Sequence, residues 1–477
     1  MNGLLVGFIF YLVLMIVIGV VAYIKTKDQE GMAGFMVGKR DFGPILTAFG
    51  VGTSLASGFA FIGLVGAAYL AGSVSLFQPI FVTAVELTLW VVMAKRVRNK
   101  SVETRSLTPV ELLSKLKGDP HNLIKICGGI LISGFMVIYL AAQFVSGAKA
   151  SVVFGIDYNT AVWVSALLVM AYVFLGGITA VMWTDAIQGV MMLVAFVLLL
   201  GTVLIESGGF FATIDALTSI APHMISVTGG KTGMVLALSM ITWISISFGF
   251  FGPPTGIQKF FLIKDEKSIP RAAVYSIGFN LVRQYIPLII GLCGRVMFQN
   301  MADPEMLVPT IISTYFPSFL GGLLLASIFA AIMSTTDSLI LQSTGEFTRS
   351  VLQLSLAPNL SDKTIVWITR FLTLVISCLG IYVALYGGFT NFTLTNFAFG
   401  GLSTSLAPAL FLGFLYKKCT SWGILAGILS GIPSTAFWYY YMKASTGLHE
   451  TIVGTTVAVL AVFIISNLTY GENKVKA

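Results

Sequence analysis

Apolar stretches of about 20 residues or more alternate with short polar segments along almost the whole chain. Stretches of this length cross the hydrocarbon core of a bilayer as helices, whereas a membrane barrel would show shorter segments of alternating polarity. We therefore predict an all-α integral membrane protein with thirteen transmembrane helices. The predicted spans are residues 3–25, 44–71, 73–97, 122–152, 156–178, 179–206, 233–261, 270–298, 309–348, 365–388, 392–416, 421–442 and 450–470.

Basic residues gather in the polar segments after the first, third, seventh and eleventh spans and in the carboxyl-terminal tail. Lys259 is counted with the segment after the seventh span. With thirteen spans all these segments lie on one side, which the positive-inside rule makes the cytoplasm. We predict an amino terminus outside and a carboxyl terminus inside. The net charge of +8 then reflects membrane topology, so the expected partner is the lipid bilayer and not nucleic acid.

Composition excludes several classes of protein. Charged residues make up 10% of the chain, compared with about 25% in soluble domains. The chain has no GxxxxGK[ST] nucleotide-binding loop, and its 3 His and 4 Cys show no metal-ligand or haem-ligand spacing. We expect a transporter with no enzymatic activity and no organic cofactor. The largest polar insertion, residues 98–122, contains an apolar segment at 107–116 that predicts a short cytoplasmic helix.

Two predicted spans carry residues that break helices. The second span is rich in Gly, Ser and Thr between residues 50 and 66, and the seventh contains Gly and Pro at residues 249–254. Transporters use discontinuous helices at matching positions of two repeats, because unwound backbone exposes carbonyl groups to ions and substrates. Small residues also serve close helix packing, which is the alternative for either span alone. Because the two spans are five apart, they predict the first helices of two five-helix repeats.

The ninth span carries a polar stripe along one helical face. Its members are Ala331, Ser334, Thr335, Ser338 and Gln342. Adjacent hydroxyl groups offer oxygen ligands to a hard cation, and the broken second span can add backbone carbonyls. The alternative is that these hydroxyl groups bond to the backbone of their own helix.

An ionisable residue inside a membrane helix costs several kcal/mol unless it is paired or hydrated. Asp185 and Asp337 are suited to ligating or neutralising a cation. Arg283 lies deep in the eighth span, where a guanidinium can grip a carboxylate or pair with Glu86 or Asp337. Three further ionisable residues lie near span ends, where we expect long side chains to reach the membrane surface: Lys149, Arg295 and Glu346.

Several short motifs, in this order and spacing, resemble the sodium/solute symporter family over nearly the full length, with the likeness greatest to its proline and pantothenate branches. The motifs are GKRDFGP at residues 38–44, GTSLASG at 52–58, GAK at 147–149, GGITA at 176–180 followed by WTD at 183–185, and AAIMST at 330–335.

The resemblance implies thirteen helices, a five-plus-five inverted repeat of the LeuT type and alternating access. It implies one transporter domain over residues 1–477. Within it we expect an extra first helix and loop at 1–43, a first repeat at 44–206, a second repeat at 233–416, and two carboxyl-terminal helices and tail at 417–477. We expect a bacterial plasma-membrane protein that functions as a monomer and couples a small organic solute to Na+.

The resemblance also carries ion-binding residues over to this chain. A sodium ion is expected between the carbonyls of Thr53, Ala56 and Ala331 and the hydroxyls of Ser334 and Thr335. Some members hold a second sodium, for which the matching residues are Asp185 and Ser338 together with Ser334. Asp337 stands where such members often have an uncharged residue.

For the solute, the resemblance points to aromatic and charged residues near the breaks. Tyr139 and Phe250 match aromatics of the proline branch, and Arg283 matches a lysine that contacts sugar in the galactose branch. Leu55 stands where the proline branch has an aspartate, which weakens proline as the solute; the pantothenate branch lacks this aspartate too. Together with Arg283, this favours a carboxylate-bearing solute: a monocarboxylate, pantothenate or an amino acid such as proline. The full predicted solute set is Ser57, Gly58, Glu86, Tyr139, Phe250 and Arg283. The alternatives are proton coupling through Asp185, Asp337 or Glu86, and an ion channel.

Overall fold

The computed structural model describes residues 3–26, 31–173 and 177–474. These ranges are helical apart from turns and one isolated β-bridge, Phe42 with Ile263. Helices in the first part are α1 (Gly3–Thr26), α2 (Gly31–Val37), α3 (Pro44–Ser54), α4 (Ser57–Phe61), α5 (Gly63–Ala71), α6 (Phe77–Thr88), α7 (Ala94–Glu103), α8 (Pro109–Lys117), α9 (Leu123–Ser151) and α10 (Tyr158–Val173). They are followed by α11 (Ile178–Glu206), α12 (Phe210–Ile220), α13 (Gly233–Phe248), α14 (Pro254–Phe260), α15 (Ile269–Met297), α16 (Leu307–Tyr315), α17 (Ser318–Gly345), α18 (Asp362–Tyr386), α19 (Asn391–Leu415), α20 (Ser421–Phe437), α21 (Lys443–Thr446) and α22 (Glu450–Lys474).

Membrane-spanning character is confirmed by the length and apolarity of these helices. Within the described ranges, nine helical stretches are long and apolar enough to cross a bilayer. One of them, residues 57–103, runs through the second and third predicted spans, so the count of thirteen stays a prediction. The predicted division between the fifth and sixth spans follows residue 178, and α11 begins at Ile178. Residues 174–176, which include Gly176 of the GGITA motif, are outside the described residues.

Both spans that were predicted to be broken are interrupted. Leu55 and Ala56 separate α3 from α4, and Ser57 adopts a left-handed backbone with φ of 53°, a conformation uncommon for residues other than glycine. In the seventh span α13 ends at Phe248, a short tight turn follows, and extended Pro253 precedes α14. The interruptions leave backbone groups without helical partners at two places inside the membrane.

The predicted ninth span, 309–348, was wrong at its beginning. Phe316 is extended, with φ −105° and ψ 141°, and separates the short helix α16 from α17. The physical reason is Pro317, because a residue before proline avoids the helical region. The short helix predicted at 107–116 is confirmed as α8, whose Thr108 side chain caps the Glu111 N–H. The sequence analysis missed α2 and α12, which lie in segments it treated as loops.

Helix α17 runs through the interior of the molecule, with nearly every residue from 321 to 345 buried. It packs against α1, α3, α4, α9 and α11. Its contact with α1 is very close, because a Cβ atom on Gly322 would lie 2.1 Å from the Leu4 carbonyl oxygen. Small residues permit such backbone approach between membrane helices. The polar stripe of the ninth span therefore lies on a helix enclosed by other helices and not on a lipid-facing surface.

Candidate functional site

The break between α3 and α4 lies directly against the hydroxyl stripe of α17. The Thr335 hydroxyl donates to the Thr53 carbonyl at 3.1 Å, and the Ser334 hydroxyl donates to the Ala331 carbonyl at 3.1 Å. The Ala56 N–H also donates to the Thr53 carbonyl, at 3.0 Å. All five residues predicted to bind sodium are buried. The structure thus brings the predicted set together from two elements nearly 300 positions apart.

The chemistry of this group fits a sodium ion. Its polar atoms are carbonyl and hydroxyl oxygens, the ligand type that hard cations prefer. Each hydroxyl keeps lone pairs while it donates, so the hydrogen bonds now present leave ligating capacity on Ser334 and Thr335. That these five residues bind the ion remains a prediction, since no ion position is defined.

Side chains from other helices satisfy the backbone groups freed by the break. The Leu55 carbonyl accepts a hydrogen bond from Arg283 Nη1 at 3.0 Å, and the Gly58 N–H donates to Gln143 Oε1 at 3.0 Å. The Phe59 N–H donates to the Ser57 hydroxyl at 3.0 Å. Because an unpaired backbone group inside lipid costs several kcal/mol, these bonds stabilise the interruption.

A charged cluster lies next to the hydroxyl stripe. Lys259 Nζ of α14 is 3.0 Å from Asp185 Oδ2 of α11, and the two side chains are 2% and 0% exposed. The Asp337 carboxylate is within electrostatic reach of both groups. The N–H and hydroxyl groups of Ser338 also interact with the Asp337 carboxylate, although no donor among the described residues forms a hydrogen bond of ordinary geometry with either Asp337 oxygen. The Ser338 hydroxyl lies 2.8 Å from that of Ser54.

The position predicted for Lys259 was wrong. It was counted as a loop cation after the seventh span, but α14 carries it into the interior beside Asp185. Helix α14, which follows the break at Pro253, contacts α3 and α17, so its side chains are enclosed by other helices. The residues predicted for a second sodium are therefore close together, with a resident ammonium group beside them.

The predicted aromatic solute contacts are joined by a third ring. Phe399 of α19 lies edge-on to Tyr139, with centroids 4.8 Å apart, and edge-on to Phe250 at 4.5 Å. The Tyr139 hydroxyl is buried and interacts with the Ser57 side chain and, electrostatically, with Arg283, although it forms no hydrogen bond of ordinary geometry within the described ranges. Phe399 was missed because an apolar residue in an apolar span gives no sequence signal.

Glu86 and Arg283 bond to each other. Arg283 Nη2 is 2.6 Å from Glu86 Oε2, and the side chains are 1% and 3% exposed. Glu86 also accepts hydrogen bonds from the Ser276 hydroxyl at 2.8 Å and from the Asn280 amide. This geometry agrees with the alternative in which Arg283 forms an ion pair inside the protein.

Gln78 is a candidate that the sequence analysis missed. Its side chain is fully buried at the start of α6, and neither amide atom has a partner in the described part of the chain. Its own carbonyl accepts a hydrogen bond from Ser247, close to the break of the seventh span. Since buried amides are nearly always hydrogen-bonded, an unpaired one beside a break suits a ligand contact. A glutamine in an apolar run was the available signal.

Two of the ionisable residues near span ends, Lys149 and Glu346, are largely buried and bonded to other residues. That Lys149 and Arg295 reach the membrane surface stays a prediction. Lys149 contacts Asp303 at 2.6 Å and Glu305 at 2.7 Å. Glu346 is fully buried, accepting from the Ser350 hydroxyl at 2.8 Å and the Val110 N–H at 3.3 Å. The prediction that Glu346 reaches the surface was wrong, because α8 covers the end of α17.

Comparison with known proteins decides the family. The family described as "Sodium:solute symporter family" matches residues 35–431. This chain belongs to the sodium:solute symporter family. A "Sodium/proline symporter" of Haemophilus influenzae is 31% identical over 98% of this chain and 94% of its own length. A "High-affinity proline transporter PutP" of Bacillus subtilis is 29% identical over 96% of this chain and 97% of its own length.

Solved structures agree on the fold. A sodium-coupled sialic acid symporter in a substrate-bound outward-open state superposes with a TM-score of 0.80 and 17% identity, covering 98% of both chains. MhsT in complex with L-phenylalanine gives a TM-score of 0.56 and 15% identity over 90% of this chain and 98% of that one. The predicted LeuT-type fold is confirmed. The symporter is a multi-pass plasma-membrane protein that couples Na+ to movement of a small organic solute, and its relatives are transporters.

Proposed function

We propose that this symporter takes up a small zwitterionic amino acid with sodium, with proline as the first candidate, and that it catalyses no chemical reaction. The observation that carries the choice of a zwitterion is the Glu86–Arg283 pair. Because Glu86 neutralises Arg283 at 2.6 Å, the predicted solute set has no unpaired cation that would favour a net anion. Two relatives named for proline support this class over monocarboxylates and pantothenate.

The proposed sodium site lies between the break of the second span and α17. Its ligands are the carbonyls of Thr53, Ala56 and Ala331 and the hydroxyls of Ser334 and Thr335. An ion there would attract α3, α4 and α17 to one another, and an ion shifts a conformational equilibrium only through such differential contacts. The Thr335–Thr53 hydrogen bond supports this placement, since it already joins the two elements.

The proposed solute position is beside both breaks. Tyr139 and Phe250 supply apolar ring surface on either side of Phe399, which suits the ring of proline. The Gln78 amide, which has no hydrogen-bond partner among the described residues, and the Tyr139 hydroxyl supply polar groups for its charged ends. Ser57 and Gly58 form the adjoining backbone, where a Cβ on Gly58 would lie 2.5 Å from Ser146 Cβ. Glycine therefore keeps the backbone close to α9 at this point.

A second cation is part of the proposal. Asp337, whose oxygens form no hydrogen bond of ordinary geometry with the described residues, would be its main ligand, with Ser338 and the second oxygen of Asp185 beside it. Lys259 already balances the charge of Asp185, so one negative charge in the cluster remains to be balanced. The alternative, coupling to protons through Asp185, Asp337 or Glu86, would balance the same charge.

The remaining proposals concern topology. We propose an amino terminus outside, a cytoplasmic carboxyl terminus, and a protein that works as a monomer in the bilayer. The proposed inverted repeats are residues 44–206 and 233–416, with extra helices in 1–43 and 417–477. The two interruptions, after Ser54 and after Phe248, support this division because each lies in the first span of a proposed repeat.

Uptake of labelled proline into proteoliposomes tests the function. An inward sodium gradient should drive accumulation above the outside concentration, and a potassium gradient of equal size should not. Unlabelled proline should compete, whereas lactate and pantothenate should not. Accumulation driven by a pH gradient without sodium would favour the proton-coupled alternative. Sodium-driven uptake of pantothenate and not of proline would overturn the proposed solute class.

A further inference from the structure

The Leu55 carbonyl lies next to the proposed ligands of the sodium site. It lies in sequence between Thr53 and Ala56, whose carbonyls are the proposed ligands, and it belongs to the interruption itself. Arg283 Nη1 binds this carbonyl at 3.0 Å, and both residues are buried. The direction of one peptide group within a short interruption constrains the directions of its neighbours, because only two soft dihedral angles separate successive peptide planes.

Arg283 is held rigidly while it binds this carbonyl. Its Nη2 contacts Glu86, which is itself fixed by Ser276 and Asn280. The guanidinium is planar, so binding two acceptors through separate nitrogens fixes its orientation. Glu86 and Arg283 come from α6 and α15, and the pair therefore ties two further helices to the break.

Helix α15 also packs tightly on α3 immediately before the break. A Cβ atom on Gly52 would lie 2.6 Å from the Phe279 ring, so glycine is required at this contact. Phe279 and Arg283 are four residues apart on α15 and share one face of the helix. One face of α15 therefore contacts α3 at Gly52 and the interruption at Leu55.

We propose that Arg283, oriented by Glu86, is a positioning residue of the sodium site rather than a solute ligand. Its bond to the Leu55 carbonyl directs that group away from the ion and leaves the Thr53 and Ala56 carbonyls turned toward α17. Loss of the bond leaves a buried carbonyl unpaired and lets the interruption reorient. This inference depends on the proposed sodium site, and it predicts that Arg283 variants lose sodium affinity before they lose solute affinity.

Sodium titrations without solute, read from the thermal midpoint of purified protein, test the inference directly. Loss of one charge-assisted hydrogen bond in Arg283→Gln should raise the half-saturating sodium concentration about tenfold or more. Arg283→Lys should show an intermediate rise, because an ammonium lacks the planar fork. Proline affinity at saturating sodium should change less than about twofold, the usual size of a small indirect effect.

The control variant is Arg295→Gln, which removes an arginine from the same helix that bonds Tyr69 and the Gln299 carbonyl. It should leave the sodium response unchanged. If Arg283→Gln does not fold, Glu86→Gln tests the same bond with a smaller expected rise. Unchanged sodium affinity with weakened proline affinity would overturn the inference and make Arg283 a solute ligand. A lower midpoint with both affinities unchanged would also overturn it. A wild-type protein that does not respond to sodium would instead refute the proposed sodium site.

Discussion

Two neighbouring parts of α17 handle charge in opposite ways. At Ser334 and Thr335 the helix meets the broken second span through neutral hydroxyl and carbonyl oxygens. Less than one turn further on, Asp337 faces a cluster that contains Asp185 and Lys259. A neutral oxygen site can bind and release an ion without leaving an unpaired charge in the membrane. Within the charged cluster, Asp185 cannot lose the counter-charge of Lys259, because a lone buried carboxylate is very costly.

The neutral oxygens at Ser334 and Thr335 can therefore bind an ion reversibly, whereas the pairing of Lys259 with Asp185 is permanent. Lys259 is covalently part of the chain, so its ammonium group balances Asp185 in every state of transport in which α14 stays inside. Exchange with the aqueous phases is easiest at the neutral oxygens. The following variants test this contrast, in order of decreasing expected effect on sodium-driven uptake.

Removing both hydroxyl groups should have the largest effect. Two oxygen ligands at roughly 1 kcal/mol each correspond to about a 30-fold rise in the half-saturating sodium concentration for Ser334→Ala/Thr335→Ala. Sodium-dependent proline uptake measures this. The matched control is Thr336→Val, because the neighbouring Thr336 hydroxyl is buried but has no partner among the described residues. Equal sodium dependence in both variants would contradict the neutral site.

Removing the resident cation should mainly reduce stability. Lys259→Met leaves Asp185 and Asp337 together without their counter-charge, which costs about 3–5 kcal/mol for a broken buried pair. The thermal midpoint in sodium-free buffer should fall accordingly. Adding Asp185→Asn should restore most of it, since the uncompensated carboxylate is then absent. If Lys259→Met alone is as stable as the wild type, Lys259 is not needed to balance the charge of Asp185.

A change at the proposed solute position should alter proline affinity without altering sodium binding at α17. Gln78→Ala removes one hydrogen-bonding group, which at about 1 kcal/mol corresponds to roughly a fivefold rise in half-saturating proline. Sodium binding without solute should not change. Uptake kinetics at saturating sodium provide the measurement, and a change in sodium binding alone would assign Gln78 to the ion site.

The smallest effect is expected for the second cation. In Asp337→Asn the Hill coefficient for sodium should fall from about 2 to about 1, the limit set by the number of sites. Maximal uptake should change less than sodium cooperativity. A wild-type coefficient of 1 that the variant leaves unchanged would restrict coupling to the neutral site.

The sequence allowed the neutral site to be predicted better than the charged one. Hydroxyl groups at helical spacing, as in Ser334 and Thr335, are visible in any apolar span. Lys259 was misassigned because positive residues near span ends normally belong to the cytoplasmic side. Lys259 is buried because α14 packs against α3 and α17. A local sequence pattern does not contain these tertiary contacts.

Other differences have local causes. The beginning of α17 could have been predicted from Pro317, since the rule for residues before proline applies directly. The pairing of Glu86 with Arg283 could be proposed but not chosen over a solute contact, because two intramembrane charges of opposite sign predict either arrangement. Gln78 was missed because, outside the polar stripe of the ninth span, single neutral amides were not considered as intramembrane signals.

The burial of Glu346 beneath α8 couples any movement of α17 to the short helix between the third and fourth predicted spans. Glu346 lies twelve positions after Ser334, about 18 Å along a straight helix, and it accepts the backbone N–H of Val110. If α17 moves during transport, either α8 moves with it or Glu346 loses its hydrogen bond to the Val110 N–H of α8. Deuterium exchange at the Val110 amide would therefore report how readily this end of α17 separates from α8.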